Sequence, residues 1–365
     1  MLTHQQPRVR AEHTPHRHDG QIRLGTVAPR TSTYPDDPWR WTLLEALDGT
    51  RTPAQVLDHV QDTHPTTPAS LVDTAIRELT WAGHLEDAAD RSTVAPGTDA
   101  ERYDRLAQYL AMVKPHDERT PSDIQRDLAR ASVTLIGDST IGSATAYALA
   151  TSGIGLLHLV DDGTVQPANL PGQFLATPHD TGRTKARTAA DRLRHHSPRT
   201  TVSAAEGLIL DPDALQRTMD GDDLTILAAP NPPHLLPAAN RAALTTRTPW
   251  IDTSHHGPLI STALYAPGTG TACWECLHRA EATAHGQDDL TTEGLLRALP
   301  RPAGHPATAV TTMLTGTLAA HAALAHLTRA TPWPPGTVQQ YNLVSNTQRT
   351  ITHPRDPACP ACADR

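Results

Sequence analysis

The sequence predicts an α/β fold, with a doubly wound sheet as its main part and a small winged-helix-like α+β domain before it. Three observations predict this fold: apolar strands alternate with helices in the middle of the chain, a three-helix pattern precedes them, and cysteine pairs follow them. Alternation of strands and helices is typical of a parallel sheet with crossover helices. The expected strands cover residues 133–136, 156–160, 201–202, 224–228, 250–251 and, near the end, 339–344.

The composition describes a chain long enough for two or three domains. It has 365 residues, with 31 Lys and Arg against 39 Asp and Glu and a net charge of −8. We expect no nucleic-acid partner, because such a chain lacks the excess of cations that drives affinity for phosphates. The N-terminus has no apolar stretch of a secretory signal, and the Ala-rich run at 306–327 is too polar for a membrane span and predicts a buried helix. We therefore expect a cytoplasmic protein without membrane contact.

The chain divides into four predicted parts: a disordered tail at 1–18, a winged-helix-like domain at 19–88, a linker with helices at 89–130, and the α/β domain at 131–365. The tail has no periodic apolar pattern. The second part shows two short strands, over 21–25 and 30–34, and three helices. Winged helices commonly bind nucleic acid, yet the third helix offers Arg77 beside Asp73 and Glu78. Its charge favours another ligand.

A phosphate-loop pattern follows the first predicted strand of the α/β domain. Gly137 and Gly142 enclose Asp-Ser-Thr-Ile and lead into an Ala-rich helix, which is where a nucleotide-binding fold places its phosphate loop. The loop alone is weak evidence, because only the first and last glycines of the usual set are present. The second strand ends at Asp161, and Asn-Leu-Pro-Gly-Gln at 169–173 and Gly-Arg-Thr-Lys at 182–185 follow.

This ordered combination resembles the adenylating-enzyme superfamily of ThiF, MoeB and the ubiquitin-activating enzymes. The resemblance covers the chain from residue 131 onwards and implies a Rossmann-like, ThiF-type domain. It further implies that Asp161 holds ribose hydroxyls and that other retained residues surround the ATP phosphates. The candidate nucleotide-binding residues are Gly137, Gly142, Asp161, Asn169, Gln173 and Lys185.

Five positions depart from the superfamily pattern. Its two middle loop glycines are Ser139 and Thr140 here, and the second acid at its strand end is Gly163. Its arginine is Gly172, and its magnesium-binding aspartate is Pro230. Adenylyl transfer depends on positioning and on offsetting charge with arginine, lysine and metal. The losses predict a vestigial nucleotide site without catalytic residues and a chain that does not use ATP.

All four cysteines lie in two Cys-x-x-Cys pairs, Cys273 with Cys276 and Cys359 with Cys362. Two such pairs can complete a tetrahedral zinc site, and the zinc is then structural because the protein fills every coordination position. A redox dithiol is the alternative, although that use needs one pair rather than two. The adenylating superfamily also carries its zinc in this region.

A winged-helix-like domain before a ThiF-like domain resembles the leader-binding partner proteins of pathways that make thiazole- and oxazole-modified peptides. The phrase Leu-Asp-Gly-Thr-Arg-Thr at 47–52 and the two cysteine phrases carry this resemblance. It implies that the N-terminal domain binds a precursor's leader as an added strand. It also implies that a separate YcaO-type cyclodehydratase forms the azolines and that a homodimer is possible, since relatives commonly dimerise. The residues expected to contact the leader are Thr31, Ser32, Thr33, Arg77 and Trp81.

Two other functions stay open. A working adenylating enzyme would activate a peptide carboxylate with ATP, and pyrophosphate exchange by the purified protein separates it from a leader-binding partner. A transcription regulator would place the helical domain on DNA, which the acidic balance of the chain disfavours.

Overall fold

The computed structural model describes residues 4–25, 31–91, 99–113, 119, 121–137, 140–207, 212–228, 234–284, 306–329 and 332–363. The chain separates into two compact units, residues 1–125 and 126–365. Two of the positions that depart from the superfamily pattern, Ser139 and Pro230, lie outside the described residues.

The first unit combines short strands with helices. Helix α2 (Pro53–Thr63) starts as a capping box: the Gln55 N–H donates to the Thr52 hydroxyl at 3.3 Å, and the Thr52 N–H donates to the Gln55 side chain at 2.9 Å. The other elements are β1 (Pro7–Val9), β2 (His16–His18), β3 (Gln21–Leu24), β4 (Ser32–Pro35), α1 (Pro38–Ala46), α3 (Ala69–Trp81), β5 (Leu85–Asp87), α4 (Ala88–Arg91), α5 (Asp99–Val113) and α6 (Pro121–Leu128), which runs past residue 125.

The predicted hairpin is confirmed as β3 and β4, which pair antiparallel with Tyr34 opposite Ile22. Strand β2 pairs with the other side of β3, so the sheet order is β2-β3-β4. Apolar residues of β3 pack against the three helices, because alternate residues of a strand face the same side. The members of this core that are 0–1% exposed include Ile22, Leu24, Leu43, Leu47, Val56, Val60 and Val72.

The predicted disordered tail is wrong for the described residues before position 19. Strand β1 pairs antiparallel with β5, with Val9 opposite Leu85. The Arg8 Nε donates to Glu86 Oε1 at 2.9 Å, which adds a charged contact across the pair. A strand of three residues is too short to show an apolar period, so its partner much later in the chain is what defines it.

The second unit is built on an eight-stranded sheet in the order β13-β12-β11-β10-β9-β6-β7-β8. The strands are β6 (Ser132–Ile136), β7 (Leu156–Val160), β8 (Thr201–Ala205), β9 (Leu224–Leu227), β10 (Trp250–His256), β11 (Leu259–Tyr265), β12 (Thr337–Asn342) and β13 (Thr347–Thr352). The helices that occur between them are α7 (Thr140–Thr151), α8 (Lys185–His196), α9 (Pro212–Met219), α10 (Leu235–Thr246), α11 (Trp274–Ala284) and α12 (Ala309–Thr328).

The sheet is mixed rather than purely parallel. Strands β10, β9, β6, β7 and β8 are parallel neighbours, which is the predicted doubly wound arrangement. Strands β11, β12 and β13 extend it antiparallel. The reason is the connection between β10 and β11, which consists of Gly257 and Pro258 only: two residues can close a hairpin but cannot make a crossover.

Helix α12 confirms the predicted buried helix and packs closely on α7. A Cβ atom at Gly316 would lie 2.4 Å from the Ile141 carbonyl oxygen and 2.7 Å from the Ala144 Cβ. The Thr145 hydroxyl donates to the Gly316 carbonyl at 3.1 Å. This approach requires a residue without a side chain at position 316. Neither α12 nor any other helix among the described residues has the length and apolar character needed to cross a membrane.

Candidate functional site

The predicted nucleotide motif lies at the carboxyl ends of two neighbouring parallel strands. Gly137 follows β6 with φ +93°, and its N–H donates to the Val160 carbonyl of β7 at 2.8 Å. Asp161 directly follows β7. Doubly wound sheets bind their ligands at this edge. The structure therefore brings Gly137 and Asp161 to the expected edge, while Gly142 is buried inside α7.

Asp161 and Lys185 meet around Gly163. Asp161 Oδ1 accepts a hydrogen bond from the Gly163 N–H at 2.7 Å, and the Lys185 N–H donates to the Gly163 carbonyl at 2.9 Å. A Cβ atom at Gly163 would lie 2.8 Å from Asp161 Oδ1 and 3.2 Å from Lys185 Nζ. The carboxylate and the ammonium thus lie beside Gly163.

Asn169 and Gln173 lie on either side of Gly172 and share a turn with it. The Asn169 carbonyl accepts hydrogen bonds from the N–H groups of Gly172 at 3.1 Å and Gln173 at 2.9 Å. Gln173 is buried and Asn169 is half-buried. These contacts form a compact turn, so the structure links Asn169 with Gln173 and, separately, Asp161 with Lys185.

The space beside Gly172 is filled by two threonines. A Cβ atom at Gly172 would lie 2.7 Å from Thr312 Oγ1 and 2.8 Å from both Cβ and Cγ2 of Thr140. Thr312 belongs to α12 and is buried. Close-packed interiors leave no room for contacts this short, so a side chain at 172 requires its neighbours to move. Positions 172 and 140 are therefore coupled, since Thr140 occupies space that a side chain at 172 would need.

Asp180 is a buried carboxylate that the sequence analysis missed. It accepts hydrogen bonds from the Thr177 hydroxyl at 2.7 Å, the Thr177 N–H at 2.9 Å and Arg183 Nη1 at 2.8 Å. These hydrogen bonds lower the pKa of Asp180 to about 2, and the one from the Thr177 hydroxyl has the largest effect. The available signal was a threonine followed three residues later by an acid, which is a capping-box pattern. Asp180 orders the segment that leads to Lys185.

The residues predicted to contact a leader lie on strand β4 and helix α3. Thr31 precedes β4 and Thr33 belongs to it, and both are exposed. Trp81 at the end of α3 is 67% exposed, and Arg77 is ion-paired with Asp73 one turn earlier. A mostly apolar cavity of about 10 Å³, too small for a side chain, lies among β3, β4, α1 and α3. It is lined by Ile22, Tyr34, Arg40, Leu43, Leu44, Ala75 and Leu79.

Ser32 is hydrogen-bonded towards the interior, unlike its two neighbours. Its Oγ lies 2.6 Å from Nε2 of His84, and the Nδ1 of His84 lies 3.0 Å from the Nδ1 of His13. Both imidazoles are buried, and their rings meet edge to face. No local pattern in the sequence reveals this chain of polar groups, because its members are distant in sequence. It ties β4 to the segment that follows β1.

The four cysteine sulfurs come together in one buried cluster. The Sγ of Cys273 lies 3.7 Å from that of Cys276 and 3.8 Å from that of Cys359, and the Sγ atoms of Cys276 and Cys362 are 3.5 Å apart. All four lie within 4.8 Å of one another. Tetrahedral ligands at a Zn–S distance of about 2.3 Å are separated by roughly 3.8 Å. The four thiols could therefore hold a zinc ion without leaving a position open for catalysis.

The model of the ThiF family matches residues 105–361. The chain belongs to the ThiF family. The SAMP-activating enzyme E1 of Haloferax volcanii is 26% identical over 275 residues, which cover 73% of this chain and 91% of that protein. The sulfur carrier protein adenylyltransferase of Thermus thermophilus is 27% identical over 246 residues, which cover 66% of this chain and 85% of that protein.

Solved structures of E. coli MccB share the fold of this ThiF-family chain. The crystal structure of MccB with ATP aligns with a TM-score of 0.79 at 18% identity, covering 98% of this chain and 99% of MccB. A second structure, of the microcin C7 biosynthetic enzyme MccB in complex with N-formylated MccA, aligns with a TM-score of 0.78. At this identity, the likeness establishes a common fold.

Replacement of one cysteine tests the zinc site. We expect the purified chain to hold zinc at about one ion per chain and Cys276→Ser to lose most of it, because serine offers no thiolate. Metal content measured by mass spectrometry checks this, and the unfolding temperature should fall with the metal. The variant Ala361→Ser, between the second pair, should keep its zinc. A metal-free wild-type chain, prepared without chelators, would contradict the assignment.

A double-mutant cycle tests the contact between positions 172 and 140. We expect Gly172→Arg to destabilise the chain by about 1–3 kcal/mol through overpacking, and Thr140→Gly in the same chain to recover part of that loss. Urea unfolding measures both effects. Gly207→Arg is the matched control, since nothing lies within 4 Å of a Cβ atom there. Strictly additive costs at 172 and 140 would show that the two sites are independent.

Proposed function

We propose that this protein binds the leader of a ribosomally made precursor peptide and delivers the peptide to a YcaO-type cyclodehydratase for azoline formation. In this role residues 19–88, extended by β1, form the peptide-recognition element, and residues 131–365 form a ThiF-like domain whose own nucleotide site is vestigial. A protein that positions a substrate raises its effective concentration at the partner enzyme and needs no groups that lower a barrier.

The observation that carries the peptide-binding part is the edge of strand β4. Among the described strands, β4 pairs with β3 on one side and with no strand on the other. An edge strand offers a row of backbone N–H and C=O groups to an extended peptide. The side chains of Thr31 and Thr33 at this edge are exposed, which leaves them accessible to such a peptide.

The contact of Gly172 with Thr140 and Thr312 supports a binding role over catalysis. An arginine that offsets phosphate charge cannot enter this position without displacing both threonines. Loss of one such charge typically costs about 10²-fold or more in rate. The sequence also lacks the magnesium-binding aspartate, whose position is Pro230.

Adenylation of a peptide carboxylate is the second candidate function. It is favoured by membership of the ThiF family, by the relatives named as adenylyltransferases, and by the MccB structure with ATP. The retained residues Asp161 and Lys185 also lie close together. The two functions differ in whether the isolated chain uses ATP.

A binding titration tests leader recognition. We expect a fluorescently labelled leader from a neighbouring precursor to bind the full chain, and Trp81→Ala to weaken binding by about tenfold or more, because an exposed aromatic residue at an interface is a typical anchor. Fluorescence anisotropy measures the affinity. Tyr109→Ala removes another exposed aromatic residue, outside β4 and α3, and should leave affinity unchanged. Equal affinity of wild type and the Trp81 variant would exclude this part of α3 from the interface.

Proline substitution tests the added-strand geometry. Thr31→Pro and Thr33→Pro remove backbone donors from the β4 edge and should weaken leader binding. A thermal melt that matches wild type shows that the hairpin is intact in each variant. Unchanged affinity for both folded variants would place the leader elsewhere.

Pyrophosphate exchange separates the two candidate functions. We expect no ATP–pyrophosphate exchange above background with the isolated chain, with or without the precursor peptide, because charge stabilisation at the phosphates is lost. The peptide alone and the cyclodehydratase with peptide serve as controls. Formation of an acyl-AMP product by this chain alone would establish the adenylating enzyme instead.

A further inference from the structure

The second unit contains a large cavity near the cysteine cluster. It lies at the amino end of the parallel strand β10, whereas the nucleotide motif lies at the carboxyl ends of β6 and β7. The volume of the cavity is about 740 Å³, which falls within the range of ligand-binding pockets. Trp250, which borders it, is the first residue of the parallel strand β10. Gly137 and Asp161 instead follow the last residues of β6 and β7. The cavity is therefore separate from the ThiF-type site.

Three segments form the walls of this cavity. One is the C-terminal half of α10, with Asn240, Leu244, Thr245 and the following Arg247; another is the turn over residues 266–272; the third contains Arg355 and Cys362. The base is the cross-strand pair Trp250 and Tyr265, whose ring centroids are 4.8 Å apart. The cavity thus combines a mainly apolar base with polar groups at its rim.

The turn over residues 266–272 leaves its backbone accessible. Gly268 and Gly270 have φ of +83° and +76°, and a Cβ atom at either would meet nothing within 4 Å. The Thr269 N–H donates to the Ala266 carbonyl at 3.4 Å, which closes the turn, and the glycines on either side of Thr269 are exposed. The hydroxyls of Thr269 and Thr271 are 2.8 Å apart on the same turn.

The charged groups of the lining other than the cysteine sulfurs are cationic. The described residues that line the cavity include two guanidinium groups, from Arg247 and Arg355, and no carboxylate. Arg355 is held in place by hydrogen bonds to the carbonyl oxygens of Cys362 and Ala363. Arg247 is exposed, and no salt bridge to it occurs within the part of the chain that the structure describes. A guanidinium in this position matches a carboxylate or phosphate well, because its fork can donate two parallel hydrogen bonds.

We infer that this cavity is a binding site for a small organic anion, with its carboxylate or phosphate on Arg247 and its apolar part against Leu244 and Pro267. The site is independent of leader binding at β4 and of the nucleotide motif. A small ligand of this kind should bind with a Kd of about 1 mM or tighter.

Ligand-observed NMR on the full-length, metal-containing chain tests this site with three probes: phenylacetate, phenyl phosphate and the neutral phenylacetamide. We expect at least one of the two anions to bind and the amide to bind about tenfold more weakly or not at all, because it lacks the charge that Arg247 recognises. The preferred anion identifies a carboxylate or a phosphate as the natural head group. Equal binding of the amide, or no binding of either anion at several millimolar, overturns the inference.

Variants locate the bound anion. Arg247→Glu should weaken binding by tenfold or more, and Arg247→Lys should keep part of it. Arg241→Glu, an exposed position on the same helix that does not line the cavity, should change nothing. Lys185→Ala serves as the control for binding at the nucleotide motif. Full affinity in a folded Arg247→Glu chain, or loss of affinity in Lys185→Ala, would place the anion elsewhere and leave Arg247 as part of the α10 C-terminus only.

Discussion

The close packing of α7 against α12 determines what the nucleotide edge of the second unit can do. Gly316 lets the two helices approach until a Cβ atom there would touch the backbone of α7. Each helix also carries a threonine at or near its first turn, Thr140 on α7 and Thr312 on α12, and both reach Gly172. The packing of α7 against α12 therefore also fills the space that an arginine at position 172 would need. A change that reopened position 172 would have to loosen the starts of two helices.

The first unit depends on long-range polar contacts more than its helices suggest. Its core is formed by β3 and the three helices, but β4 is also tied through Ser32 to His84 and His13. Buried imidazoles need hydrogen-bond partners, because an unsatisfied polar group inside a protein is costly. The pairing of β1 with β5 brings the segment containing His13 to that position. Strand β4, whose edge we propose for leader binding, is therefore held in place by hydrogen bonds to residues far away in sequence.

How much the sequence predicts depends on whether the signal is local. The strands of the parallel sheet and the capping box at Thr52 follow from periods and spacings within a few residues. The cysteine spacing indicates the metal cluster, whose four sulfurs then lie within 4.8 Å. The pairing of β1, the bond between Ser32 and His84, and the crowding of Gly172 by Thr312 join residues that no local pattern connects. The antiparallel strand β11 is an intermediate case. The two-residue connection before it is a local signal for a hairpin, whereas the alternation of strands and helices in this part of the chain predicts parallel strands.

Retained motif residues in the second unit need not mean retained nucleotide binding. Asp161 accepts the Gly163 N–H, the Lys185 N–H donates to the Gly163 carbonyl, and Asn169 closes the turn that contains Gly172. Lys185 Nζ also lies beside the volume that a side chain at 163 would occupy. The contacts of Lys185 and Asn169 use only backbone atoms and would survive a change of side chain. The hydrogen bond from the Gly163 N–H requires the Asp161 carboxylate. Selection for folding alone therefore accounts for Asp161 more directly than for Lys185. The Lys185 side chain is thus the more informative position at which to look for residual phosphate binding.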